Sequence, residues 1–110
     1  MGDWITVGQA GDVPSGHAAR VEIDDRPIAI FNVEGTFYCL DDRCSHAEAS
    51  LSDGDLDIER CAIECPLHGS AFDLQSGNPI TLPATEPVAA HEIDTSTGEI
   101  RIRLSEEGTD

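Results

Sequence analysis

At 110 residues and 11.8 kDa the chain is the size of one small domain, and its formal net charge is −16. All six of its cations are arginine, too few and too scattered among 22 carboxylates for nucleic-acid or anionic-membrane binding, which needs clustered cations. With 39% hydrophobic residues and only about 65% of its unfolded surface to bury, its core is modest, so four Cys and four His invite a metal site that adds folding free energy.

Strand signals run through the chain in order. Met1 to Ile5 carries neither the basic start nor the apolar run of a signal peptide, and Trp4 to Val7 reads as the first strand. Arg20 to Asp24 alternates polar and apolar, as a half-buried strand does. Asp25-Arg26-Pro27 reads as a turn before a strand from Ile28 to Val33. Glu34-Gly35 is a two-residue hairpin signal leading into Thr36 to Leu40. A short helical turn is expected near Ala47 to Ser50, and a further strand over Cys61 to Glu64. Strands over Val88 to Ile93 and Glu99 to Leu104, joined by 94–98, close the chain ahead of a polar tail. Turns every 8–12 residues and no sustained 3.6-residue period indicate an all-β sandwich or barrel. The longest purely apolar stretch is far short of the ~20 residues a membrane helix requires, so the expectation is a soluble, cytoplasmic protein.

Two stretches break this rhythm, Asp41 to Asp57 and Cys65 to Gly77, with Asp57 to Ile63 between them placed to bring them side by side as a hairpin. They hold Cys44-Ser45-His46 and Cys65-Pro66-Leu67-His68-Gly69, one thiol and one imidazole pair each, with 18 residues between His46 and Cys65. In a reducing compartment cysteines serve as ligands more often than as disulfides. Two Cys and two His are also a zinc set, but zinc fingers place both Cys first and both His later. The order Cys, His, Cys, His suits a binuclear centre in which one iron takes both thiolates and the other both imidazoles, the ligation of a Rieske [2Fe–2S] cluster. A structural zinc in an interaction module stays open as the competing reading.

The resemblance extends beyond the ligands. Cys65 to Asp73, followed by Ser76-Gly77 and Leu82-Pro83-Ala84-Thr85-Glu86-Pro87, resembles the small Rieske-type ferredoxins that serve non-haem iron oxygenases. That resemblance implies a Rieske fold: one domain over 1–110, with a base of about 1–41 and 75–110 and an inserted cluster-binding subdomain of about 42–74. It implies one [2Fe–2S] cluster held by Cys44, His46, Cys65 and His68, and a third loop, Leu82 to Pro87, covering it. No catalytic residue is implied, because four ligands leave no open coordination position. The implied function is one-electron transfer from a flavoprotein reductase to a ring-hydroxylating terminal oxygenase, by a monomer. An accessory redox role in iron–sulfur cluster assembly is the alternative. Membrane-bound respiratory Rieske proteins differ: their extra loop cysteines correspond to Ala49 and Leu67, and their tyrosine to Phe72, while the serine is kept as Ser70.

Ligand charge explains the chemistry. Four thiolates on a doubly positive oxidised core make a dianion, whereas two thiolates and two neutral imidazoles make a neutral site that accepts an electron more readily. Rieske centres accordingly span about −150 to +300 mV, against about −400 mV for plant-type clusters. Phe72, the absent disulfide and the acidic surface place this one toward the low end. His46 and His68 are expected to present free N–H edges as the electron port. The acidity is read as solubility, or as steering onto basic partner surfaces. Cys39 and Cys61 are expected to be buried free thiols, His17 and His91 surface residues, and Asp41-Asp42 a solvated turn.

Overall fold

The computed structural model describes residues 4–44, 49–67, 69–82 and 86–104. Among the described residues the fold is all-β, with nine strands in three antiparallel three-stranded sheets ordered β1-β9-β8, β2-β3-β4 and β5-β6-β7. The strands are β1 Ile5–Gln9, β2 Ala18–Ile23, β3 Arg26–Val33, β4 Thr36–Asp41, β5 Asp55–Asp57, β6 Ala62–Glu64, β7 Ala71–Asp73, β8 Glu92–Asp94 and β9 Glu99–Arg103.

The middle sheet organises the rest. Its central strand β3 is buried on both faces, and alternation along it divides the molecule into two cores. Ile28 and Ile30 join Ile23, Cys39, Ile100 and Ile102 in one core, against β9. Ala29, Phe31 and Val33 join Leu40, Leu51, Ile63, Phe72, Leu74 and Val88 in the other, against the β5-β6-β7 sheet. A near-continuous apolar run is therefore what β3 requires, and Ile28 to Val33 supplies it.

Tight turns fix the register. Ile23 pairs with Arg26 across Asp24-Asp25, both at positive φ (52° and 66°), and Val33 pairs with Thr36 across Glu34-Gly35 (53° and 93°). Two consecutive left-handed residues are the signature of type I′ hairpin turns, whose twist matches that of the flanking strands. The first turn therefore lies at Asp24-Asp25, and Arg26 and Pro27 belong to β3, where Pro27 at the strand's start is tolerated.

Three other expectations are corrected. The stretches read as irregular contain β5 and β7, too short for a period of two to show. Residues 88–91 do not form one strand with β8. They run along β4 (Asp41 N–H to Ala89 O, 2.9 Å; His91 N–H to Cys39 O, 2.9 Å) before the chain crosses to pair with β9. Ala49 and Ser50 are not helical; the helical turn among the described residues there is 3-10 and spans Leu51–Asp53, while Ala47 and Glu48 lie outside the described residues.

Candidate metal centre

Two hairpins of matching construction carry the cysteines. Arg43 pairs with Ser50 and Glu64 with Ala71, the same separation in sequence. Inside each pair the cysteine N–H closes a six-residue loop onto a carbonyl five residues on: Cys44 onto Ala49 at 3.0 Å and Cys65 onto Ser70 at 2.7 Å. Cys44 and Cys65 thus stand at equivalent points of two hairpin stems, and both are buried in the same core with Phe72, Leu51 and Leu74. Neither is in a disulfide. Position i+2 of one loop and i+3 of the other are the expected imidazole ligands, His46 and His68, which lie outside the described residues.

The loops are braced from three directions. Gly54 lies against the end of β6, where a Cβ would meet the Glu64 carbonyl oxygen at 1.9 Å, so only glycine permits the two stems this approach. Residues 78–81 run along β7 (Ile80 N–H to Ala71 O, 2.7 Å; Ala71 N–H to Thr81 Oγ1, 2.8 Å) and lead into the third loop. The far end of that loop is tied where Val88 N–H donates to Gly77 O at 2.9 Å. Gly77 has φ 79° and its backbone touches that of Val88. Pro83, Ala84 and Thr85 lie outside the described residues. Leu67 in the second loop, Ile80 in the segment along β7 and Leu82 at the start of the third loop are 56%, 45% and 77% exposed.

Other chemistry-bearing residues separate from this pair. Cys39 faces the opposite core, and burial raises its thiol pKa far above the ordinary value, so it stays a neutral packing residue. Cys61 is only half-buried, at a positive φ of 53° in the turn before β6, beside Tyr38. His17 is exposed, as expected. His91 is not a surface residue: its side chain is fully buried and its Nε2 lies 2.8 Å from Asp41 Oδ1, which also accepts from Arg26 Nη2 at 3.0 Å.

Asp42 is likewise buried rather than solvated. Its main-chain carbonyl accepts from Leu51 N–H at 2.6 Å and its Oδ1 from Ser52 N–H at 2.8 Å, so one residue holds both strands of the Cys44 hairpin. Nothing local in the sequence distinguishes it from Asp41; its partners come from across the fold.

Two buried thiols outside any disulfide, at matching points of two hairpin stems, are a soft donor pair of the kind iron–sulfur clusters use, and the donor set fits such a group. The comparisons agree. The family model for the Rieske [2Fe–2S] domain matches residues 3–92. The chain is 47% identical over 96 residues to 3-phenylpropionate/cinnamic acid dioxygenase ferredoxin subunits of Escherichia coli (strain K12) and Shigella flexneri serotype 5b, covering 86% of this chain and 88% of each of those proteins. It superposes on the ferredoxin of carbazole 1,9a-dioxygenase from Nocardioides aromaticivorans IC177 with a TM-score of 0.89 at 29% identity, over 93% and 98% of the two chains. A chain from a complex of reduced oxygenase and oxidised ferredoxin in carbazole 1,9a-dioxygenase gives 0.83 at 38% identity, over 91% and 92%. The chain belongs to the Rieske [2Fe–2S] domain family, and one cluster of that type is its cofactor.

Proposed function

We propose that this protein is the one-electron carrier of a ring-hydroxylating oxygenase system, taking electrons from a flavoprotein reductase and delivering them to the terminal oxygenase. When bound, the cluster supplies a centre that gains and loses a single electron. Cys44, Cys65, His46 and His68 would hold it, the thiolates on one iron and the imidazoles on the other. The subdomain of about 42–74 presents these loops on the base formed by about 1–41 and 75–110. The observation that carries the reading is the pair of buried thiols opening matched loops, joined to 47% identity with oxygenase ferredoxin subunits.

The chain's own residues do two things. The buried apolar residues around Cys44 and Cys65 exclude water from the sulfur side. Leu67, Ile80 and Leu82 are exposed apolar side chains near the cysteine hairpins, available for contact with a partner. The charge of −16 brings basic partner surfaces toward it. The carrier is soluble, monomeric and cytoplasmic in this reading; among the described residues no helix is long and apolar enough to cross a membrane.

The test is reconstitution with NADH, a flavoprotein reductase and a terminal oxygenase of the phenylpropionate type. Hydroxylated product should form only when this protein is present. Reduction of the cluster without any electron passing to the oxygenase would contradict the assignment.

A further inference from the structure

We propose that Asp42 and Arg20 tune the cluster from beneath the Cys44 loop, the carboxylate lowering its reduction potential and the guanidinium raising it. The proposal rests on Cys44 being a cluster ligand, which iron analysis of Cys44→Ser tests separately. Asp42 lies two residues before Cys44 and is the one buried carboxylate among the described residues. Its Oδ2 lies 3.9 Å from Arg20 Nη1, and the same guanidinium donates to Ser50 Oγ at 3.3 Å on the other side of the hairpin. A cleft of about 240 Å³ opens beside them, lined by Arg20, Glu22, Pro27, Asp42, Arg43 and Ser50, and at its mouth Glu22 Oε2 lies 3.8 Å from Arg20 Nη2.

The pair is asymmetric. The Asp42 side chain is 1% exposed and that of Arg20 50%. A charge held in protein acts through a low dielectric, whereas one at the mouth of a solvent-filled cleft is screened by water and salt. The carboxylate therefore outweighs its partner at the cluster, and a fixed negative charge close by opposes the arrival of an electron. A purely mechanical role is also visible, since Asp42 clamps Leu51 and Ser52. Asparagine keeps an oxygen for the Ser52 N–H and removes only the charge, which separates the two roles.

The experiment is dye-mediated reductive titration of the cluster-loaded protein at fixed pH and ionic strength, with the visible spectrum as a check on cluster integrity. Asp42→Asn should move the electron-exchange equilibrium with the reference dye toward reduced protein by at least about threefold. Arg20→Gln should move it toward oxidised protein by a smaller factor, and Arg20→Lys should restore the wild-type value. Wild-type equilibria in both charge-removing variants, or shifts of the same sign, would overturn the proposal. So would Arg20→Lys behaving like Arg20→Gln, which would assign the effect to the Ser50 contact. Should Asp42→Asn fail to load, Arg20→Gln decides alone: an unchanged or more easily reduced protein refutes the assignment.

Discussion

Gly54 touches the carbonyl of Glu64 so closely that a methyl group between them would sit 1.9 Å from the oxygen. Glu64 immediately precedes Cys65, and Gly54 follows the 3-10 turn that ends the Cys44 hairpin. The close approach of the two stems that carry the buried thiols therefore requires the absence of one side chain.

Gly54→Ala tests that spacing. The oxygen it would strike is main chain inside a paired strand and cannot swing aside, so β5 and β6 must part. Overpacking of this kind costs about 1–3 kcal/mol, and more where backbone meets backbone. The expected result is a lower melting temperature together with substoichiometric iron after reconstitution. Wild-type iron content and melting temperature would show that the approach does not position the loops.

Tyr38 makes the fold sensitive to alkali. Its hydrogen bond to Cys61 is the largest of the effects that raise its pKa above the ordinary 10.0, followed by burial and the negative charge of Cys61 and Asp73. A phenol whose folded-state pKa is raised contributes stability that is complete below pH 10, the unfolded value. That contribution is lost as pH rises through the folded value. Tyr38 is the chain's one tyrosine, so ultraviolet titration of tyrosinate reads it directly. The midpoint should lie above 10 in the wild type and fall toward it in Cys61→Ala. A wild-type midpoint at or below 10 would contradict the contact.

Ligand charge makes its own prediction. His68→Cys exchanges a neutral imidazole for a thiolate, so the assembled cluster should become harder to reduce, with its potential moving from the Rieske range toward the about −400 mV of all-thiolate clusters. An assembled cluster with an unshifted potential would mean that His68 is not a ligand.

Much of this architecture was legible because it rests on local chemistry. The run Ile28 to Val33 is apolar throughout because both faces of β3 are covered, and Glu34-Gly35 forms the expected turn because the geometry it needs is intrinsic to those two residues. The Cys-x-His and Cys-x-x-His-Gly spacings identify the two loops and the family, and both cysteines fall in one core.

What the sequence hid depends on distant partners. Asp41 and Asp42 read identically, yet one meets Arg26 and His91 while the other is buried above Arg20. His91 looks like any polar interruption of a strand until β4 supplies its carboxylate. Gly54 reads as an ordinary turn residue, because no local feature announces that another backbone passes within contact distance. The strands β5 and β7, three residues each, are held by their neighbours rather than by propensity.

The most direct measurement is the metal and sulfide content of protein reconstituted without oxygen in the presence of iron, sulfide and zinc. Two irons and two acid-labile sulfides per chain are expected, lost together in Cys44→Ser and Cys65→Ser. One zinc per chain, with no sulfide, would contradict this and leave a small acidic β-domain with a structural metal.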